Sequence, residues 1–160
     1  MQQKQRRRLG CSGFTVKEFQ AIDVDRAIAR DGGRLGCLAQ AQKEVEREGS
    51  QIVAIMPDRQ QFAEEFKNES NARFPILTDM DNGYALSLNL VFWVGMEMER
   101  MISAAGWDIP SYQGNTSWML PIPATFVVDQ DRRVKARFVD PDYRKRMAVE
   151  NMLAALRSAH

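Results

Sequence analysis

Two β-rich runs, Ala124-Thr125-Phe126-Val127-Val128 and Val134-Lys135-Ala136-Arg137-Phe138-Val139, are separated only by the polar Asp129-Gln130-Asp131-Arg132-Arg133. So short a connection joins antiparallel neighbours, because parallel strands need a crossover of about a dozen residues or more. The hairpin therefore anchors the fold. Pro121 and Pro123 lead into it, and a proline that opens a strand costs no ladder hydrogen bond. Upstream, Gln51-Ile52-Val53-Ala54-Ile55-Met56 is a β-branched run stopped by Pro57, as a buried strand would be. Asp58 in a capping position, followed by Phe62, Ala63 and Phe66 on one face, predicts a helix over residues 58–69. Phe74-Pro75-Ile76-Leu77-Thr78-Asp79 reads as a second strand, closed by Asp79, Asp81, Asn82 and Gly83.

Val94, Met98, Met101 and Ile102 recur at helical spacing and predict a helix over residues 83–105. Its methionines are assigned to core packing, since no His or Cys lies nearby to make a metal site. Residues 107–116 read as a loop. At the C-terminus Val149, Met152, Leu153 and Leu156 form the stripe of an amphipathic helix over residues 143–158. A further helix is expected over residues 38–48, ended by Gly49 at its cap. From residue 51 the order is β-α-β-α-β-β-α, an α/β arrangement. Residues 1–36 show no firm period and are set apart, as a poorly defined basic segment, from a domain over residues 37–160.

The 160 residues suit one ordinary core. Lys and Arg number 22 against 21 Asp and Glu, so no global field recruits nucleic acid or an anionic membrane. The basic run Lys4-Gln5-Arg6-Arg7-Arg8 reads as a solvated end. With no long apolar run and no secretory pattern, a soluble cytoplasmic protein is expected. Cys11 and Cys37 are the only cysteines and His160 the only histidine, which offers no metal set and no cofactor motif. If this chain performs covalent chemistry, a cysteine must carry it.

The segments Ile52-Val53-Ala54-Ile55, Phe74 to Asp79, Trp107-Asp108-Ile109-Pro110-Ser111-Tyr112, Ser117-Trp118-Met119-Leu120-Pro121-Ile122-Pro123-Ala124-Thr125-Phe126-Val127-Val128-Asp129 and Val139 to Tyr143 resemble the peroxiredoxin-like branch of the alkyl hydroperoxide reductase and thiol-specific antioxidant superfamily. The resemblance implies a thioredoxin-like fold, a central mixed β-sheet flanked by helices, with an incomplete or atypical N-terminal portion. It implies that Pro123 is cis and faces the cysteine motif, with Ile122 and Trp118 shaping the same pocket. It also implies a thiol-dependent peroxidase or disulfide oxidoreductase, using a hydroperoxide substrate and a thioredoxin-like or glutathione-like thiol reductant.

Thiol peroxidases attack the O–O bond with a thiolate, and a helix N-terminus favours that anion. The corresponding turn here reads Gly32-Gly33-Arg34-Leu35-Gly36-Cys37, without the Trp, Pro and second Cys of the branch's Gly-Gly-Trp-Cys-Pro-Tyr-Cys pattern. Cys37 is thus either the redox nucleophile, assisted by Arg34, or an ordinary buried cysteine on the inner face of a helix. For Cys11, nothing but Arg6, Arg7 and Arg8 would favour a thiolate. The strand expected before the cysteine turn is either the stretch 14–24 or missing from a truncated or divergent start, and the odd basic beginning fits the second better. The alternative function is a catalytically inactive module acting in protein–protein contact or as a homodimer, with Trp93, Trp107, Trp118 and Tyr112 as candidate anchors.

Overall fold

In a computed structural model, residues 15–19, 34–142 and 144–158 are described; for 15–19, 34 and 35 this is the backbone path alone. Lys4 to Arg8, Cys11, Gly32-Gly33, Tyr143 and His160 lie outside them. The main sheet contains β1 (Thr15–Phe19), β2 (Gln51–Met56), β3 (Ile76–Thr78), β6 (Ala124–Val128) and β7 (Val134–Val139) in the order β3-β2-β1-β6-β7. β1, β2 and β3 run parallel, while β6 and β7 are antiparallel to their neighbours, so the sheet is mixed. The hairpin and both upstream strands stand where the sequence puts them. Within the stretch 14–24, β1 supplies the central strand of the sheet, the alternative to a missing one.

β2 shows why a central strand is apolar throughout. Ile52, Ala54 and Met56 face a core shared with Leu38 and Val45 of α1 (Arg34–Arg47) and with Met152, Leu153 and Leu156 of α6 (Val149–Arg157). Val53 and Ile55 face the other side, against Ala85, Leu90 and Ala124. A strand buried on both faces cannot alternate apolar with polar. β7, at the sheet edge, can: its Lys135 and Arg137 keep that edge charged. Gly49 ends α1 as expected, at φ +68°, with its N–H on the Glu46 carbonyl (3.0 Å) and the Ser50 N–H on Val45 (3.1 Å). These are the two bonds of a Schellman closure.

Several expectations are corrected. The helix of residues 58–69 is α2 (Gln60–Glu69), preceded by Arg59 without a side-chain cap, and Asp58 is buried, 1% exposed, just beyond β2. The long helix over 83–105 is three elements: α3 (Gly83–Ser87), β4 (Val91–Trp93) and α4 (Met96–Ala104). Asn89 breaks it by taking φ +55°, after which Val91-Phe92-Trp93, better suited to a strand, pairs with β5 (Met119–Pro121). Its core assignment fails in part: Val94 is buried, but Met98 and Met101 are 52% and 62% exposed.

The loop of 107–116 contains α5 (Ile109–Gln113), which Asp108 caps by accepting from the Ser111 N–H at 3.1 Å. Gly114 closes this helix at φ +76°, and a Cβ there would stand 3.0 Å from Arg59 Cδ. Gly114→Ala should therefore cost about 1–2 kcal/mol of stability in a urea titration, chiefly the left-handed backbone penalty of an L-residue. An unchanged midpoint would contradict the placement of α5.

The tail helix begins at Val149, not at 143, because the chain before it is held in a local turn. Arg144 donates to Asp142 from Nε (2.8 Å), Nη2 (3.0 Å) and its backbone N–H (3.2 Å). Such side-chain bonds compete with helix formation. They hold the Asp142 carboxyl below its usual 3.8, at about 2. A carboxylate whose pKa is depressed by folding stabilises fully above the unfolded value and loses that contribution as pH falls through the folded one. A carboxyl-carbon NMR titration should find Asp142 still ionised at pH 3 and protonating near about 2; a midpoint at about 4, the unperturbed range, would mean that the turn is not formed.

Candidate functional site

The site is built at the end of the main sheet where β1 and β2 finish. α1 has 14 residues, about 21 Å of helix. It ends within three residues of the start of β2 and packs against β2 and α6. It therefore runs back along the sheet, and its first turn reaches this end. There the last residue of β1, Phe19, is paired with Ala124, the first of β6. Pro123 lies one residue beyond this pair. The topology thus brings the start of α1 and the Ile122-Pro123 segment to the same end of the sheet.

Cys37 is the fourth residue of α1, which begins at Arg34, one turn earlier than the helix expected over 38–48. The buried stripe of α1 is Leu38, Ala41 and Val45, at 0%, 5% and 0% exposed. Their i, i+3, i+7 spacing defines the inner face, and Cys37, four residues before Ala41, borders it. Cys37 is exposed, which corrects the reading of a buried inner-face cysteine. Arg34 opens the helix; its side chain lies outside the described residues.

Pro123 is buried, but the Ile122–Pro123 bond is trans, correcting the expected cis geometry. Backbone bonds fix the segment on both sides: the Ile122 N–H donates to Leu90 (2.7 Å), and the Pro123 carbonyl accepts from Asp140 (3.4 Å). With the chain held this way no tight turn demands the cis form, and trans is the lower-energy isomer. Trp118, at φ +52°, belongs to a separate cluster with Val94, Ile109 and Leu120, and its carbonyl accepts from the Val94 N–H at 2.8 Å. Ile122 and Pro123 are therefore together at the end of the sheet where α1 starts, while Trp118 is engaged beside β4 and β5.

Two clefts adjoin these elements. One of about 660 Å³ separates α1 from α2 and is bordered by Gly36, Gln40, Lys43, Phe66 and Arg73. Another of about 780 Å³ lies between α2, β3 and α5, bordered by Arg59, Thr78, Asp81 and Gln113. Cys37 and Pro123 line neither. Beside the second, the buried amides of Asn82 and Gln113 both donate to the Met119 carbonyl, at 3.2 and 3.1 Å. Their oxygens are buried and without a partner among the described residues. Nothing in the sequence marked either amide, since Asn82 adjoins a turn glycine and Gln113 stood in a presumed loop. Asp79 accepts from the Tyr84 and Ala85 N–H groups at the start of α3, both at 2.8 Å.

Among the described residues no group of three or more His, Cys, Asp or Glu is placed to hold a metal ion, and no helix is long and apolar enough to cross a membrane.

Solved structures share this architecture. Peroxidoxin BcpB from Mycobacterium tuberculosis superposes with a TM-score of 0.64 at 17% identity, over 92% of this chain and 80% of that one. A mutant of peroxiredoxin Q from Xanthomonas campestris gives 0.65 at 15%, over 94% and 82%. A mutant of the Xylella fastidiosa PrxQ gives 0.63 at 11%, over 92% and 78%. At such identities these similarities establish the fold, a thioredoxin-like one of peroxiredoxin type. Among curated protein sequences none matches the chain. The AhpC/TSA family model matches residues 34–137, from the first residue of the cysteine-bearing helix to the second strand of the hairpin, and by that match the chain belongs to the AhpC/TSA family.

Proposed function

We propose that the protein is a thiol-dependent peroxidase in which Cys37 is the nucleophile. The observation that carries this reading is an exposed cysteine in the first turn of α1, at the end of the sheet that also bears Pro123, within a chain of the AhpC/TSA family. The Xanthomonas campestris bacterioferritin comigratory protein, similar in fold, is described by its alkyl peroxide reduction activity. A hydroperoxide is accordingly the substrate here. The Cys37 thiolate attacks one peroxide oxygen, the O–O bond breaks, and the leaving alkoxide or hydroxide takes a proton. The resulting sulfenic acid condenses with a reductant thiol, releasing water, and a second thiol frees Cys37 with formation of a disulfide.

The family assignment does not favour the catalytically inactive module. Pocket roles for Ile122 and Pro123, assistance from Arg34, a thioredoxin-like or glutathione-like reductant and a cytoplasmic setting belong to the proposal. So does pairing of two copies, which the exposed Phe92 and Trp93 of β4 support. The test is to follow consumption of hydrogen peroxide and of an alkyl hydroperoxide by the full chain with dithiothreitol or thioredoxin. Turnover that depends on the thiol is expected; peroxide loss no faster than in its absence would sink the reading.

A further inference from the structure

We propose that the cleft between α2, β3 and α5 binds a free α-amino acid with an apolar side chain. The site is independent of Cys37, which does not line this cleft, and of the peroxidase reading. Three polar side chains converge where α5 ends. That of Arg59 lies over Gly114, with Cδ 3.0 Å and Nε 3.6 Å from where a Cβ there would stand, and the Arg59 N–H donates to the Tyr112 carbonyl at 2.9 Å. Asp81 reaches the same stretch by accepting from the Asn115 amide at 2.9 Å. Gln113 stands between these contacts in the chain, and Arg59, Asp81 and Gln113 all border the cleft.

Each of the three has bonding capacity left over. Arg59 and Asp81 carry opposite charges, yet among the described residues neither forms an ion pair, with the other or with a third group. α2 begins beside Arg59 with no side-chain cap, so its first N–H groups are open to an anion. Gln113 is 6% exposed, and its Nε2 donates to the Met119 carbonyl at 3.1 Å. That bond fixes the amide's orientation, because the reverse would set two oxygens against each other. Oε1 is then a buried acceptor without a donor among the described residues, a cost that a bound donor removes.

These groups complement an amino acid. Its carboxylate fits the planar Arg59 guanidinium and the open start of α2. Its ammonium, with three donors on one atom, fits the Asp81 carboxylate and Gln113 Oε1. A dianionic phosphate fits worse, since Glu64 and Asp81 balance Arg59 and Lys67 around the cleft and leave no net positive charge. Ile76 and the half-exposed Leu77 continue the wall, and an apolar ligand side chain laid on them is removed from water. A cleft of about 780 Å³ is in the size range of small-molecule sites and admits a bulky side chain.

The test is calorimetric titration of the full chain with L-leucine, with amide NMR to locate the site. Leucine is expected to bind at millimolar concentration or below and to shift the signals of Arg59, Asp81, Gln113 and Gly114. Isoamylamine, which lacks the carboxylate, and isocaproate, which lacks the ammonium, should each bind more weakly by about tenfold or more, the loss expected for one charged hydrogen-bonding group. Arg59→Gln and Asp81→Asn should each weaken leucine by about the same factor, with unchanged circular dichroism. Both spare the local structure: the Arg59 side chain caps nothing, and asparagine tolerates the φ of +57° at position 81 and keeps an oxygen for Asn115. No binding of leucine, methionine or phenylalanine, equal affinity for the amine or the acid, unchanged affinity in both variants, or shifts confined to other residues would each overturn the proposal.

Discussion

Cys37→Ser is expected to reduce thiol-dependent peroxide consumption to the uncatalysed background, a loss of roughly 10³-fold or more, as when any covalent nucleophile is removed. A serine hydroxyl at this position is not ionised at neutral pH and cannot be oxidised to the sulfenic state. Since Cys37 is exposed, the substitution removes chemistry without opening a cavity, and the melting temperature should stay within a degree or two of the parent. Cys11→Ser should leave activity unchanged. Rates measured side by side under saturating dithiothreitol decide the matter: full activity in Cys37→Ser, or its loss in Cys11→Ser, contradicts the assignment.

The second large effect is on stability. Leu38, the residue after Cys37, is 0% exposed and joins Val45, Ile52, Met56, Met152 and Leu156 in the core that fixes α1 on the sheet. Leu38→Ala should cost about 2–5 kcal/mol by urea denaturation, from lost burial plus the cavity left behind. Leu38→Met, which conserves volume, should cost less than about 1.5 kcal/mol. A cost for Leu38→Ala below about 1 kcal/mol would mean that the first turn of α1 is not docked, and the site would lose its scaffold.

The parts of the fold legible in the sequence are those where one local signal and the tertiary context agree. β2 is a continuous β-branched run because both its faces are covered, and the hairpin of β6 and β7 is set by its short polar connection. Misreadings arose where a helical period crossed from one element into another. Val94 and Ile102 do belong to one apolar cluster, yet Asn89 and Val91-Phe92-Trp93 interrupt the helix that their spacing suggested. α5 was legible but missed: Asp108 followed by Pro110 is a helix start, with its proline where no N–H is needed. β1 was not legible, since Thr15 to Phe19 mixes charged and apolar residues although the strand lies at the centre of the sheet.

The candidate site was legible as residue types rather than as geometry. Cys37 near a helix start and Pro123 before a strand were both visible, and the topology brings them to one end of the sheet. The exposure of Cys37 was not visible, because it depends on whether Leu38, Ala41 and Val45 or their neighbours face the sheet. The trans bond at Pro123 depends on partners far away in sequence, Leu90 and Asp140. The two buried amides, Asn82 and Gln113, meet only because β5 brings the Met119 carbonyl between them.

The most direct test of the central claim is to treat the protein with one equivalent of hydrogen peroxide, trap sulfenic acid with dimedone, and locate the adduct by peptide mass spectrometry. The adduct is expected on the peptide containing Cys37, formed before any bulk oxidation of exposed methionines. A Cys37 that stays an unmodified thiol while peroxide disappears would contradict it.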